Sequence, residues 1–398
     1  MKIRERLGLI AGTEHVVPGS PWSATWTFPA MIGAAFIVAW AAEAAEFLMS
    51  QGLALAILAL IQTLPEFAVE AVIAWKAGKN PDMVHLAIAN FTGSLRLLTG
   101  FGWPMIYAVA AFSSRRRLGK PLGRIAFEDD HAVEVLGLLP PLLYFVIVWA
   151  KASLSLVDAA FLTATYVVYL TVLLRLPPRP ETVEEAEEIP AVSRWALSFT
   201  GAKRWAAVLG LFLLGGGIIV LVAEPFLNSM LGVAVSLGVP QFVFIQWVAP
   251  FISEFPEKTS AFAWARRITR APVALLNMVS SNINQWGILS ALLAVIYCWS
   301  HGDTSALPFD EFQRLEILLT ILQAFLGWLF LASMSFEAYE AVGLFALWVI
   351  QFAVPSLRHS MLWVYSAWIA VEVGLVLAGR KRLLAFPAFA RSWKARRA

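Results

Sequence analysis

Stretches of about 20 apolar residues recur along this chain, each long enough to cross a ~30 Å hydrocarbon layer as a helix rising about 1.5 Å per residue. Eleven can be delimited, at residues 25–47, 52–75, 85–112, 132–151, 154–175, 205–225, 229–265, 271–299, 312–334, 337–354 and 359–379. With 59% hydrophobic and 14% charged residues and a mean hydropathy of +0.71, the chain carries more apolar surface than a water-soluble core can hide. The expected fold is all-α: a polytopic membrane protein of about eleven transmembrane helices. A cleavable signal is not expected, because the first span follows some twenty polar and mixed residues. A single cysteine, Cys298, excludes an intramolecular disulfide framework, and the five histidines lack metal-ligand spacing. No HExxH, nucleophile elbow or phosphate-binding loop is present, so an enzyme is not expected. The 17 tryptophans fit interfacial belts better than a binding box.

Basic residues gather at Arg115, Arg116, Arg117, Lys120 and Arg124, at Arg266, Arg267 and Arg270, and in the tail from Arg380 to Arg397. The positive-inside rule puts all three in the cytoplasm of an eleven-helix topology, with the N-terminus outside and the acidic loop around Asp303, Asp310 and Glu311 also outside. Lys2, Arg4 and Arg6 run against that orientation, diluted by Glu5 and Glu14. The expectation is an integral protein of a prokaryotic inner membrane, with the lipid bilayer and small inorganic cations as partners, no nucleic acid and no cofactor.

The proline-rich, acidic stretch RLPPRPETVEEAEEIPAVSR, from Arg175 to Arg194, divides the chain. Residues 25–175 form a first five-helix unit, 176–204 a cytoplasmic linker, 205–355 a second unit, 359–379 an extra helix and 380–398 a basic tail. The units echo each other in order: Pro65-Glu66 answers Pro256-Glu257, ANFTGS from Ala89 answers LNMVSS from Leu276, and DAAFLTATY from Asp158 answers EAVGLFALW from Glu340. Five spans separate matching helices, so the second unit lies inverted relative to the first. Inverted repeats are typical of secondary transporters, whose site lies near the bilayer midplane where the repeats meet.

Each Pro-Glu pair falls in a span otherwise apolar enough for lipid. A helical proline removes one backbone hydrogen bond and crowds the carbonyl four residues back, here Ile61 and Ile252. A carboxylate at that depth costs on the order of 3 kcal/mol or more without a partner, which marks Glu66 and Glu257 as functional. Acids with loosened carbonyls make hard oxygen ligands, suited to calcium and also used for sodium. Asn277, Ser281 and Gln285 are spaced i, i+4, i+8, with Asn284 adjacent, and Asn90 and Ser94 repeat the first two positions. Small polar residues also glue membrane helices, but a stripe recurring after each Pro-Glu pair favours ligands.

Pro-Glu in one helix followed by N-x-x-G/S-S in the next, twice in inverted units, resembles the alpha repeats of the calcium/cation antiporter superfamily, which includes the sodium/calcium exchangers. The resemblance covers roughly residues 25–355. It implies exchange of calcium for sodium or protons by alternating access, with Glu66 and Glu257 as main acidic ligands, Ser94 and Ser281 as hydroxyl or backbone ligands, and Gln285 in a place usually held by Asn or Asp. Asn90, Asn277, Thr63 and Glu254 complete the expected set. The first and sixth spans would slide across the core, which leaves Glu43, Glu46 and Glu224 either lining ion passages or ending near an interface. Exchange of another cation, proton-coupled transport with altered stoichiometry, and a transport-inactive scaffold or sensor are the alternatives.

The chain departs from the family's G-S-N-x-x-N, which here reads GSLRLL: Leu95 and Leu98 replace amides, and Arg96 enters a membrane helix. Glu254 replaces a small hydroxyl residue, whereas Thr63 keeps one. Arg96 lies about 200° around a regular helix from Ser94, so a buried pair with Asp158, Glu134, Glu43 or Glu46 is expected. Were the helix to unwind near Gly93, Arg96 would instead stand in the site as a tethered cation. The directions of Glu70 and Lys258 are open.

Overall fold

The computed structural model describes residues 19–48, 60, 63–175 and 190–395. Helices dominate: α1 (Ala24–Glu46), α2 (Leu64–Lys79), α3 (Val84–Leu97), α4 (Trp103–Leu118), α5 (Ala132–Gly137), α6 (Leu139–Lys151), α7 (Leu156–Leu174), α8 (Ala191–Leu197), α9 (Ala202–Ser236), α10 (Gln241–Ser253), α11 (Phe255–Ala265), α12 (Ala271–Asn284), α13 (Ser290–His301), α14 (Glu311–Leu331), α15 (Ala338–Ala353), α16 (Arg358–Leu377) and α17 (Ala385–Ala395). Eight helical segments among the described residues are long and apolar enough to cross a membrane, and two shorter apolar helices join them. The linker around Glu184 and the residues before Gly19 lie outside the described residues.

The expected boundary between the sixth and seventh spans is wrong. Pro225 does not end α9, which runs on to Ser236. At 35 residues it is about 52 Å long, well over the apolar thickness and so long enough to cross at a tilt. It packs along α1, where Thr27 and Ser229 share a buried 2.8 Å hydrogen bond.

Pro256 stands at a break between two helices rather than at a kink within one, and Pro65 likewise stands at a helix start. Pro65 and Pro256 sit in the first turns of α2 and α11, where the missing N–H costs nothing. Glu254 is the hinge residue between α10 and α11, and its N–H donates to the Pro250 carbonyl at 3.0 Å. Ile61 lies outside the described residues.

Two five-residue π turns, Leu98–Gly102 between α3 and α4 and Gln285–Leu289 between α12 and α13, interrupt long helices at matching places. Such turns often mark functional sites. A backbone contact fixes α3 against α10: a Cβ on Gly93 would lie 1.8 Å from the Gln246 carbonyl oxygen. Helix α3 is continuous through Gly93 to Leu97, so the unwinding that would swing Arg96 inward does not occur.

Two short ribbons tie the first part of the chain to the second. β1 (Arg124–Ala126) pairs antiparallel with β4 (Ser335–Glu337), and β2 (Ser153–Leu154) with β3 (Leu307–Pro308). The echoed acids Asp158 and Glu340 are both third residues of their helices and close capping boxes there, Asp158 with Ser155 and Glu340 with Glu337. Part of the basic tail folds as α17, which packs on α5; its Ala385 N–H donates to the Ala332 carbonyl, and Arg391 grips Asp129 with two hydrogen bonds of 2.5 and 2.8 Å.

Candidate functional site

The two helix starts, one serine and one glutamine meet in a single buried cluster. Glu66 stands in the first turn of α2, and Glu254 at the α10–α11 joint. Ser94 of α3 reaches both acids: its Oγ hydrogen-bonds a Glu66 oxygen and lies 2.5 Å from Glu254 Oε1. Gln285, the first residue of its π turn, donates Nε2 to Glu66 Oε2 at 2.7 Å and to Glu254 Oε1 at 3.1 Å. All four side chains are at most 1% exposed. The π turn matters here because it changes the helical phase at Gln285, letting its amide face two acids from different helices.

Around this cluster lie the other expected ligands. Glu257, in the first turn of α11, has both carboxylate oxygens buried, with the buried Ser281 hydroxyl beside them. Gln285 Oε1 is buried and unbonded. Asn90 donates to Glu70 Oε2 at 2.5 Å, which turns Glu70 toward the site from one helical turn beyond Glu66. Thr63 receives the Asn284 amide at 2.6 Å and itself donates to the Leu60 carbonyl at 2.9 Å. Asn277 is half-buried at the start of the stripe. Among the described residues no three His, Cys, Asp or Glu side chains form a metal site by themselves. Hydroxyl and amide groups therefore make up much of the polar lining.

Lys258 also enters the cluster. One turn after Glu254 on the same joint, its buried ammonium is ion-paired with Glu254 Oε2. Glu254 is thus divided: Oε2 faces Lys258 while Oε1 faces Ser94 and Gln285.

Arg96 stands elsewhere, as the 200° separation from Ser94 predicts, but none of its expected partners is the right one. It is ion-paired with Glu316 of α14, both side chains wholly buried. Its Nη1 donates to Gln351 at 3.0 Å, and the guanidinium lies 5.3 Å from the Trp247 ring centre. Glu316 is also 3.1 Å from Arg358 and accepts from Gln246 at 2.6 Å. Asp158 is held by Lys151, Ser155 and Tyr144 at a helix start, Glu134 lies 3.7 Å from His131, and Glu43 takes a 3.4 Å bond from Ser193. The Glu46 side chain lies outside the described residues. Glu224, largely exposed on α9, pairs at 3.0 Å with Lys76 of α2 and so links the long sixth span to the core.

Sequence reasoning passed over Glu316. The signal was available: an acid inside the span 312–334 calls for a partner by the same rule that singled out Glu66. Gln246, Gln323, Gln351 and Tyr365, which surround this ion pair, carry no such signal, since each is an ordinary member of an apolar helix until the helices are packed.

A model of the sodium/calcium exchanger protein family matches residues 19–175 and 207–356, more than half of the chain. The solved structure of the H+/Ca2+ exchanger CAX superposes with a TM-score of 0.81 over 95% of this chain and 91% of that one, at 29% identity. The sodium-calcium exchanger NCX_Mj soaked with 100 mM Na+ and 10 mM Sr2+ gives a TM-score of 0.55 over 84% of this chain and 97% of that one, at 17% identity. Its form with 2.5 mM Na+ and 1 mM Sr2+ gives 0.56 over 83% and 97%, at 16% identity. These last two are alike in fold alone. No curated protein matches in sequence. The double family match, spread over helices that carry the Pro-Glu joints and the π turns, shows that this chain belongs to the sodium/calcium exchanger protein family.

Proposed function

We propose that this protein is a secondary active cation antiporter that exchanges calcium for protons, by alternating access, at the cluster of Glu66, Ser94, Glu254 and Gln285 with Glu257 and Ser281 beside it. The observation that carries this reading is the sharing of Ser94 between two carboxyl groups. A serine hydroxyl has one hydrogen and can donate to only one of them. Its other contact is satisfied when a carboxyl is protonated and donates to Ser94 Oγ. Glu254 has Lys258 on its far oxygen, so the proton belongs on Glu66, giving a chain from Glu66 through Ser94 to Glu254. A calcium ion entering this cluster requires oxygens with lone pairs and negative charge, which displaces that proton and turns the same carboxylate into a ligand. Binding of one cation thereby excludes the other, which is the requirement for antiport. The likeness to CAX supports the same coupling ion.

The repeated joints and π turns support two inverted five-helix repeats, residues 25–175 and 205–355, with the site where they meet, and an added helix at 359–379. A transport-inactive scaffold has no use for a cluster of buried acids, each costing desolvation free energy.

Purified protein in liposomes should take up radioactive calcium when a pH gradient is imposed. A sodium gradient at equal pH should not drive uptake. Uptake driven by sodium and indifferent to the pH gradient would transfer the coupling role to sodium, and no gradient-driven uptake of any cation would refute antiport.

A further inference from the structure

We infer that Lys258 is a tethered cation: a fixed positive charge in the transport site that balances one carboxylate throughout the cycle and so sets how many monovalent ions are exchanged per calcium. This rests on the antiport reading above.

Four buried acids, Glu66, Glu70, Glu254 and Glu257, lie in or beside the cluster. In the first repeat the positions answering Glu254 and Lys258 are Thr63 and Phe67, both uncharged. The second repeat therefore adds an acid and a base together, one helical turn apart, and the structure pairs them. The pairing is asymmetric. Lys258 holds only Oε2 of Glu254 and leaves Oε1 turned to Ser94 and Gln285, inside the cluster that also holds Glu66. A lysine serving only to neutralise a misplaced acid would do so away from the site. This one keeps an acid in the site while cancelling its charge.

Charge counting gives the consequence. Moving an unbalanced elementary charge through the low-dielectric core is costly, so each state that crosses is favoured when its ligands and ions are nearly neutral together. Lys258 cancels the charge of one of these acids, so the negative charge left for transported ions to balance is one less than the number of ionised carboxylates. Without the ammonium one further negative charge faces the same ions, and the calcium-free carrier crosses with one further monovalent cation.

The test measures charge and calcium together. Proteoliposomes holding wild type, Lys258→Met, Lys258→Arg or the double variant Glu254→Gln/Lys258→Met are given a calcium gradient, and the current on a solid-supported membrane is compared with radioactive calcium flux in the same preparation. Lys258→Met should move about one elementary charge more per calcium than wild type, in the direction of the monovalent flux. Lys258→Arg keeps the charge and should keep the wild-type ratio. The double variant removes the acid with the base and should return to the wild-type ratio. Should Lys258→Met fail to reach the membrane folded, Lys258→Gln retains a donor for Glu254 and removes the same charge. A calcium-transporting Lys258→Met or Lys258→Gln with an unchanged ratio would overturn the proposal, as would a double variant that keeps the shifted ratio. Failure of the antiport reading is separate, since wild type itself would then show no exchange.

Discussion

Of single substitutions in the membrane core, Glu316→Gln should be among the most damaging, and more damaging than removal of the arginine that first draws attention in the sequence. Glu316 Oε2 takes Arg96 and the Gln246 amide, and Oε1 faces Arg358 at 3.1 Å. Glutamine preserves the volume but removes the one negative charge that two guanidinium groups share. Breaking a buried ion pair from one side costs about 3–5 kcal/mol, and here two cations lose their partner at once, which puts the expected loss at the upper end. Arg96→Met is different in kind. Glu316 loses one of its two guanidinium partners but keeps Arg358 and Gln246, and Gln351 loses its donor, for a smaller cost of about 1–3 kcal/mol. Heating detergent-solubilised variants in steps and following the remaining monodisperse fraction ranks the two. Equal midpoints, or a greater loss in Arg96→Met, would show that Glu316 is not the shared anchor. Calcium flux per folded molecule should be little changed in Arg96→Met, because this arginine does not touch the transport cluster.

Three further outcomes are expected. Glu66→Gln and Glu257→Gln should each reach the membrane folded and lose calcium exchange, since each keeps shape and removes the charge opposing a desolvated cation; uptake at the wild-type rate in either would exclude that residue. Gly93→Ala forces its methyl group onto the Gln246 carbonyl, so α3 and α10 must separate, and the yield of folded protein should fall well below that of Gly217→Ala, where a Cβ meets nothing within 4 Å. Arg391→Ala removes an exposed pair and should leave the unfolding midpoint unchanged at neutral pH. The Arg391 side chain beside Asp129 holds its carboxyl below the ordinary range, so any stabilisation from this pair is present above about pH 4 and fades as the carboxyl protonates at lower pH.

How much of this protein is legible in its sequence depends on the distance over which each property is decided. Local hydropathy marks which segments are apolar, and among the described residues eight helical segments are long and apolar enough to cross a membrane with two shorter apolar helices beside them, but the boundary expected near Pro225 is absent. That one failed because a proline is tolerated inside a membrane helix more readily than in a soluble one, and α9 runs through Pro225. Part of the cluster was legible because a duplicated pattern carries information twice: Glu66 answers Glu257, and Asn90 and Ser94 answer Asn277 and Ser281, whereas Glu254 and Gln285 answer Thr63 and Leu98. Arg96 and Lys258 have no such counterparts. Helical phase gave the direction in which Arg96 leaves the ligand stripe, but its partner is 220 residues away on a helix whose neighbours only packing decides. For Lys258 the i,i+4 spacing to Glu254 was in plain view, yet the helix break at Phe255 made that phase unreadable. The joint restores it, because Glu254 caps the new helix and its carbonyl accepts the Lys258 N–H at 3.1 Å, starting the helical turn that carries the ammonium back over the carboxylate. The charge that sequence reading sought in Arg96 is instead found at Lys258, which the single turn of helix from Glu254 places beside the cluster of Glu66, Ser94 and Gln285.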